Sequence, residues 1–166
     1  MPRRDISFAW GNEHSDAAAL ARFMADCLDP SYISHGEIQC GRAKDEHTFA
    51  DDLVAVLERE LGSTLTSHAG RLAVAHRNDE LTALAIVELA QEAAQPYAVV
   101  EDVVVSREHR GDGLGTAFLG WLETELHALG IERLFLESGI GNHSAHRFFE
   151  RHGYSVCSKV MTKVLR

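Results

Sequence analysis

The sequence predicts an α/β domain, and three observations carry the prediction. Tyr97 to Val105 is a valine-rich run with apolar residues on both faces of a period-2 strand, the pattern of a strand buried on both sides. It breaks into Arg110-Gly111-Asp112-Gly113-Leu114-Gly115-Thr116, and a helical spacing of Leu114, Ala117, Phe118, Trp121, Leu122, Leu126 and Leu129 follows. The 166 residues are 45% hydrophobic, which suits one globular domain over 1–166 with a sizeable core.

Each element has its own reason. Ile6 to Trp10 reads as a short strand, and Ser15 or Asp16 caps a helix whose face is Leu20, Phe23, Met24, Cys27 and Leu28. Asp29-Pro30 ends that helix. Residues 31–47 carry no clear period and read as a solvated loop turning at Gly36. Thr48-x-x-Asp51 is a capping-box variant before Phe49, Leu53, Leu57 and Leu61, with Gly62 as the stop. Arg71 to Arg77 and Leu81 to Leu89 form two strands joined at Asn78-Asp79, and Pro96 marks the entry to the valine-rich strand. Beyond the glycine loop and its helix, Gly130 is a stop and Ile131 to Glu137 a strand. Gly139 and Gly141 make a flexible joint, and Asn142 or Ser144 caps a helix bearing Ala145, Phe148, Phe149 and His152. Gly153 ends it, and Tyr154 to Leu165 reads as a closing strand or hairpin.

Composition excludes several function classes. No apolar run approaches the roughly 18 residues of a membrane span, and Met1-Pro2-Arg3-Arg4-Asp5 lacks the apolar stretch of a signal peptide, so a cytoplasmic protein off the membrane is expected. Cys27, Cys40 and Cys157 lack C-x-x-C spacing, which predicts reduced thiols and no structural metal. Twenty-five acidic against 16 basic residues leave a net charge of −9, which argues against a nucleic-acid partner and mildly favours a cationic acceptor.

The glycine loop suits a phosphate or pyrophosphate. A strand, a tight loop and a helix aim several backbone N–H groups and the positive end of a helix dipole at one spot, with no side chains in the way. Arg110 would add positive charge there. The loop is not a P-loop, because Gly115-Thr116 lacks the preceding lysine. It fits a dinucleotide fingerprint only loosely, since it comes late in the chain.

Arg110-x-x-Gly113-x-Gly115 after a hydrophobic strand resembles the acetyl-CoA signature of the GCN5-related N-acetyltransferase (GNAT) superfamily. Asn142-x-x-Ala145-x-x-Phe148-Phe149-x-x-x-Gly153-Tyr154 is similar to its second motif, in the right order. The resemblance covers residues 97 to 156. It implies a mixed, mostly antiparallel twisted sheet of six to seven strands flanked by about four helices, and acetyl transfer to a primary amine of a small molecule or peptide by direct attack in a ternary complex. Acetyl-CoA would be co-substrate, held by Arg110, Gly111, Asp112, Gly113, Leu114, Gly115 and Thr116 at its pyrophosphate. Val103, Val104 and Val105 would hold it along the pantetheine arm, and Asn142 and Phe149 from the second motif. Homodimers are common in the family.

The resemblance places a carboxylate base on the central strand, where Glu101 and Asp102 are the candidates. Successive side chains face opposite ways, so only one of them faces the cleft unless a bulge intervenes. Tyr32, His35 and Glu37 lie in the segment that walls the acceptor site in such enzymes. The tyrosine that usually reprotonates the CoA thiolate is replaced by Phe149. That departure keeps a second reading open: an acyl-CoA-binding regulatory or sensor module with little turnover.

Overall fold

The computed structural model describes residues 6–165. Its elements are β1 (Ile6–Trp10), α1 (Ala17–Cys27), α2 (His35–Gln39), β2 (Ala43–Asp45), β3 (Thr48–Phe49), α3 (Leu53–Thr66), β4 (Gly70–Arg77) and β5 (Glu80–Ala90). There follow β6 (Tyr97–Val105), α4 (Leu114–Ala128), β7 (Arg133–Leu136) and α5 (His143–Arg151). Two compact units divide the described chain: residues up to Leu28 with Val54–Glu137, and Asp29–Leu53 with the residues from Ser138 on.

The first unit is built on a five-stranded sheet in the order β1-β4-β5-β6-β7. All its pairings are antiparallel except β6 with β7. The β4–β5 hairpin turns where expected: Asn78 and Asp79 have φ of 51° and 66°, the paired left-handed conformation that matches strand twist and that Asn and Asp tolerate best. On one face Ala73, Ala75, Ala83, Ala85, Val87, Ala98 and Val100 pack against Leu114, Phe118, Leu122 and Leu126 of α4. The small alanines leave room for Phe118, which is fully buried. On the other face α1 contacts β5 and β6, with Leu20, Ala21 and Met24 buried.

α4 ends as expected. Gly130 has φ +85°, its N–H donates to His127 O and the Ile131 N–H reaches Leu126 O, a Schellman closure. Gly62 does not stop α3, which runs through it to Thr66. The Leu57–Leu61–Leu65 stripe continues across it, and no neighbour lies within 4 Å of a Cβ built there. Thr48 opens no helix either. It pairs in β3 with β2, and α3 begins only at Leu53.

In the second unit, Gly36 is not a turn but the second residue of α2, capped by Ser34 and Glu37 in a complete capping box. Gly139 is not a loose joint. A Cβ there would stand 2.5 Å from Ile33 O and 2.6 Å from Ser31 O, so the position needs glycine for close backbone packing. Asn142 caps α5 through Ala145 N, and Gly153 at φ +89° ends it. Residues 154–165 carry no helix or strand, contrary to the expected closing strand. Their alternation is strand-like, but a strand exists only where a neighbour's backbone pairs with it, and no such ladder forms among the described residues. Among the described residues the strands number seven, five in one sheet and two in the small β2–β3 ribbon, in keeping with the expected six to seven.

Candidate active site

β6 is less evenly covered than its valines predicted. Ala98, Val100, Asp102 and Val104 are buried, Tyr97, Val99, Val103 and Val105 are half-buried, and Glu101 is exposed. The reason lies in the register. Val87 of β5 pairs with Val100 and Ile86 with Asp102, so Glu101 is one residue too many for the ladder, a β-bulge. The bulge separates the two carboxylates: Asp102 is 2% exposed on the strand face it shares with Val104, whereas Glu101 reaches solvent.

The other edge of β6 opens at the same place. The parallel ladder to β7 runs from Tyr97↔Arg133 to Val100↔Leu136 and stops, while β6 continues to Val105. Ser106 N–H donates to Thr82 O on the β5 side at 2.9 Å. Strand alternation then turns the N–H and C=O groups of Val103 and Val105 toward the side without a ladder. Such an edge is what an extended chain pairs with.

Arg107–His109 form a 3-10 turn after β6, and Gly111 and Gly113 follow with φ of +83° and +89°. Neither glycine has a neighbour within 4 Å of a built Cβ, so backbone lies open on both sides of Asp112. Gly113 is the N-cap of α4 without a capping side chain. First-turn N–H groups and the helix dipole therefore face the loop, a donor set that fits a pyrophosphate.

The loop's charged side chains do other work than the sequence predicted. Arg110 does not point into the loop: its Nη2 donates to Cys27 O at 2.8 Å and its Nε to Val105 O at 3.1 Å. Arg107 donates to Asp26 O at 3.1 Å and Leu28 O at 3.0 Å. α1 has no basic residue in its last turn, so these two arginines satisfy its terminal carbonyls and bind it to the loop. Beside them burial pushes the Cys27 thiol up, against the pull of Arg110 and Arg107. Asp112 accepts from Arg77 Nη1 at 2.6 Å and from the Leu114 N–H at 3.1 Å. The Arg77 hydrogen bond, and then the Leu114 one, hold its carboxyl below the usual carboxylate range. Thr116 lies exposed in the first turn of α4, while Leu114 is 1% exposed and belongs to the core.

Tyr32, His35, Glu37, Asn142 and Phe149 belong to the second unit. Glu37 is 6% exposed, and its Oε2 accepts from Ser34 N and Ser34 Oγ, both at 2.7 Å. Its Oε1 faces Arg42 Nη1 at 3.7 Å, so both carboxylate oxygens have partners within the unit. Tyr32 and His35 are half-buried. Asn142 spends its side-chain oxygen on Ala145 N and Ser144 Oγ. Phe149 stacks edge-on against Tyr154 at 5.5 Å and Phe148 at 5.3 Å, a packing role for the ring. No group of His, Cys, Asp or Glu among the described residues could hold a metal.

Arg77 and Arg107 were not singled out by the sequence. Arg107 lies three residues before the motif arginine and was within reach, whereas nothing local marks Arg77, 35 residues from Asp112.

This chain is similar to known proteins. A stretch of 66 residues is 35% identical to the aminoalkylphosphonate N-acetyltransferase of Salmonella typhimurium strain LT2, covering 40% of this chain and 43% of that enzyme. An aminoglycoside N-acetyltransferase solved with CoA superimposes at a TM-score of 0.73 and 10% identity, over 100% of this chain and 99% of that one. A ribosomal-protein-alanine N-acetyltransferase from Brucella melitensis biovar Abortus 2308 gives 0.64 at 16% identity, over 98% and 99%. A transcriptional regulator from Bacillus halodurans C-125 gives 0.69, also at 16%, over 97% and 100%. At these identities the superpositions speak for the fold alone. The acetyltransferase (GNAT) family model matches residues 32–154, a span that takes in the bulged strand, the glycine loop and the Asn142 helix, and the chain belongs to that family.

Proposed function

We propose that residues 1–166 act as one acetyl-CoA-dependent N-acetyltransferase domain, transferring acetyl to a primary amine of a small molecule or peptide. The observation that carries the reading is the bulge at Glu101 beside an edge of β6 without a ladder partner, followed directly by the glycine loop and the α4 N-terminus. On this reading one strand and one loop would supply an exposed carboxylate, a row of backbone donors and an anion cradle. One relative is named for a small amine-bearing molecule, an aminoalkylphosphonate, which supports a small acceptor.

Acetyl-CoA supplies an activated acetyl thioester. The N–H groups of Gly111, Gly113 and Gly115, in the loop and at the α4 N-terminus, hold the pyrophosphate, and the Val103 C=O and the Val105 N–H pair with the pantetheine amides. Glu101 takes a proton from the acceptor ammonium, directly or through one water, and the freed amine attacks the thioester carbonyl. The Val103 N–H stabilises the negative charge developing on the carbonyl oxygen. The C–S bond then breaks, the electron pair leaves with sulfur, and the second proton of the attacking nitrogen passes to water. Phe149 has no proton to give, so the CoA thiolate departs as the anion or is protonated from water. A thiol pKa of about 8.5 makes that tolerable.

The test is CoA-thiol release from acetyl-CoA with a panel of amines, for wild type, Glu101→Gln and Gly113→Trp. The reading predicts amine-dependent release, a fall in kcat of about 10²–10⁴-fold in Glu101→Gln and loss of acetyl-CoA binding in Gly113→Trp. Acetyl-CoA binding that Gly113→Trp abolishes, with no thiol released for any amine, would instead establish the sensor reading that the tyrosine-to-Phe149 replacement favours.

A further inference from the structure

Arg77 closes β4 with only 8% of its surface exposed. It joins the end of a core strand, through the two oxygens of Asp112, to the first residue of α4. Asp112 is flanked by glycines in left-handed backbone. Glycine has the widest choice of conformations, so the loop cannot hold this shape by itself. Asp112 is also the one carboxylate from Gly111 to Thr116. Left unpaired it would repel an anion, and turned onto Arg77 it is neutralised. The requirement runs the other way as well. Arg77 Nε is buried and finds no hydrogen-bond partner among the described residues, so the guanidinium depends on Asp112 as counter-charge.

We propose that Arg77 is a positioning residue for acyl-CoA: through Asp112 it sets the Gly111–Gly113 backbone and the start of α4 in the shape that receives the pyrophosphate, without itself touching the ligand. The proposal rests on the acyl-CoA reading of the loop. Its consequence is an affinity effect separable from chemistry, since Glu101 and β6 lie outside the linkage.

The experiment compares wild type, Arg77→Met, Arg77→Lys and Asp112→Asn by amide hydrogen exchange at Gly113 and Leu114 without ligand, by CoA binding, and by steady-state kinetics. A charge-assisted bond of this kind is worth about ten- to a hundredfold. Arg77→Met and Asp112→Asn should therefore speed exchange at Leu114 and raise the KM for acetyl-CoA by about tenfold or more, with kcat within about twofold for Arg77→Met. Arg77→Lys should restore part of both. Unchanged exchange at Leu114 in a folded Arg77→Met or Asp112→Asn protein overturns the anchoring, as does a loss in kcat with KM unmoved. A wild-type chain that binds no CoA overturns the acyl-CoA reading instead, and the exchange data still report on the anchor.

Discussion

A carboxylate that is 6% exposed must have its oxygens satisfied, and Glu37 does so within its own unit. One oxygen takes both donors of Ser34, and the other faces Arg42, itself 6% exposed. Glu37→Gln keeps the size but removes the charge, so urea denaturation should show a loss of about 1.5–3 kcal/mol; a loss under about 0.5 kcal/mol would show that the capping box is not holding this segment. The sequence contained the signal, since Ser34-x-x-Glu37 is a capping box as written. A five-residue helix is nevertheless too short to display an apolar period, and a polar residue in an unperiodic stretch looks like a ligand group. Glu101 illustrates the converse. Its place on the strand was legible, but its exposure depended on a bulge created by the pairing with β5, which no local pattern encodes.

At the scale of elements, the glycines separate what sequence can and cannot say. Gly130 and Gly153 ended their helices as expected, because the chain needs positive φ to close a Schellman turn there. Gly62 did not end α3, because burial of Leu57 and Leu61 outweighs a propensity deficit of about 1 kcal/mol. That deficit is recoverable. Gly62 is helical, with nothing within 4 Å of a built Cβ, so Gly62→Ala should raise the stability of the folded chain by about 0.5–1 kcal/mol, read as a shifted denaturation midpoint at constant slope. Gly139→Ala should do the opposite, since its Cβ would meet two backbone carbonyls that cannot step aside without moving the chain. Equal effects of the two alanines would contradict the packing of both elements. Residues 154–165 show the limit of pattern reading: strand alternation was present, and the partner it requires was not.

Across the whole chain, the strand–loop–helix core was legible because its signals are local, while the bonds that brace the loop were not, because Arg77, Asp26, Cys27 and Leu28 are far from it in sequence. Those braces make one further expectation measurable through the thiols. Cys40 and Cys157 are exposed, whereas Cys27 is 5% exposed at the end of α1, where Arg107 and Arg110 tie the helix to the loop. Burial raises the Cys27 pKa, which lowers its thiolate fraction at any pH below that value, and the thiolate is the reacting species. Access and ionisation therefore act in the same direction. At neutral pH a maleimide should label two thiols promptly and the third only as α1 undocks, with all three labelled together in denaturant. Raising the pH within the native range should speed the slow thiol as its thiolate fraction rises, while it still lags behind the other two until α1 undocks. Because the braces hold α1 in place, the doubly substituted Arg107→Ala/Arg110→Ala chain should label Cys27 at least about tenfold faster, the loss of roughly 1.4 kcal/mol or more of local stability. Three equally fast thiols in the untouched protein would mean that α1 is not held by the loop, and the fixed geometry of the glycine cradle would lose one of its supports.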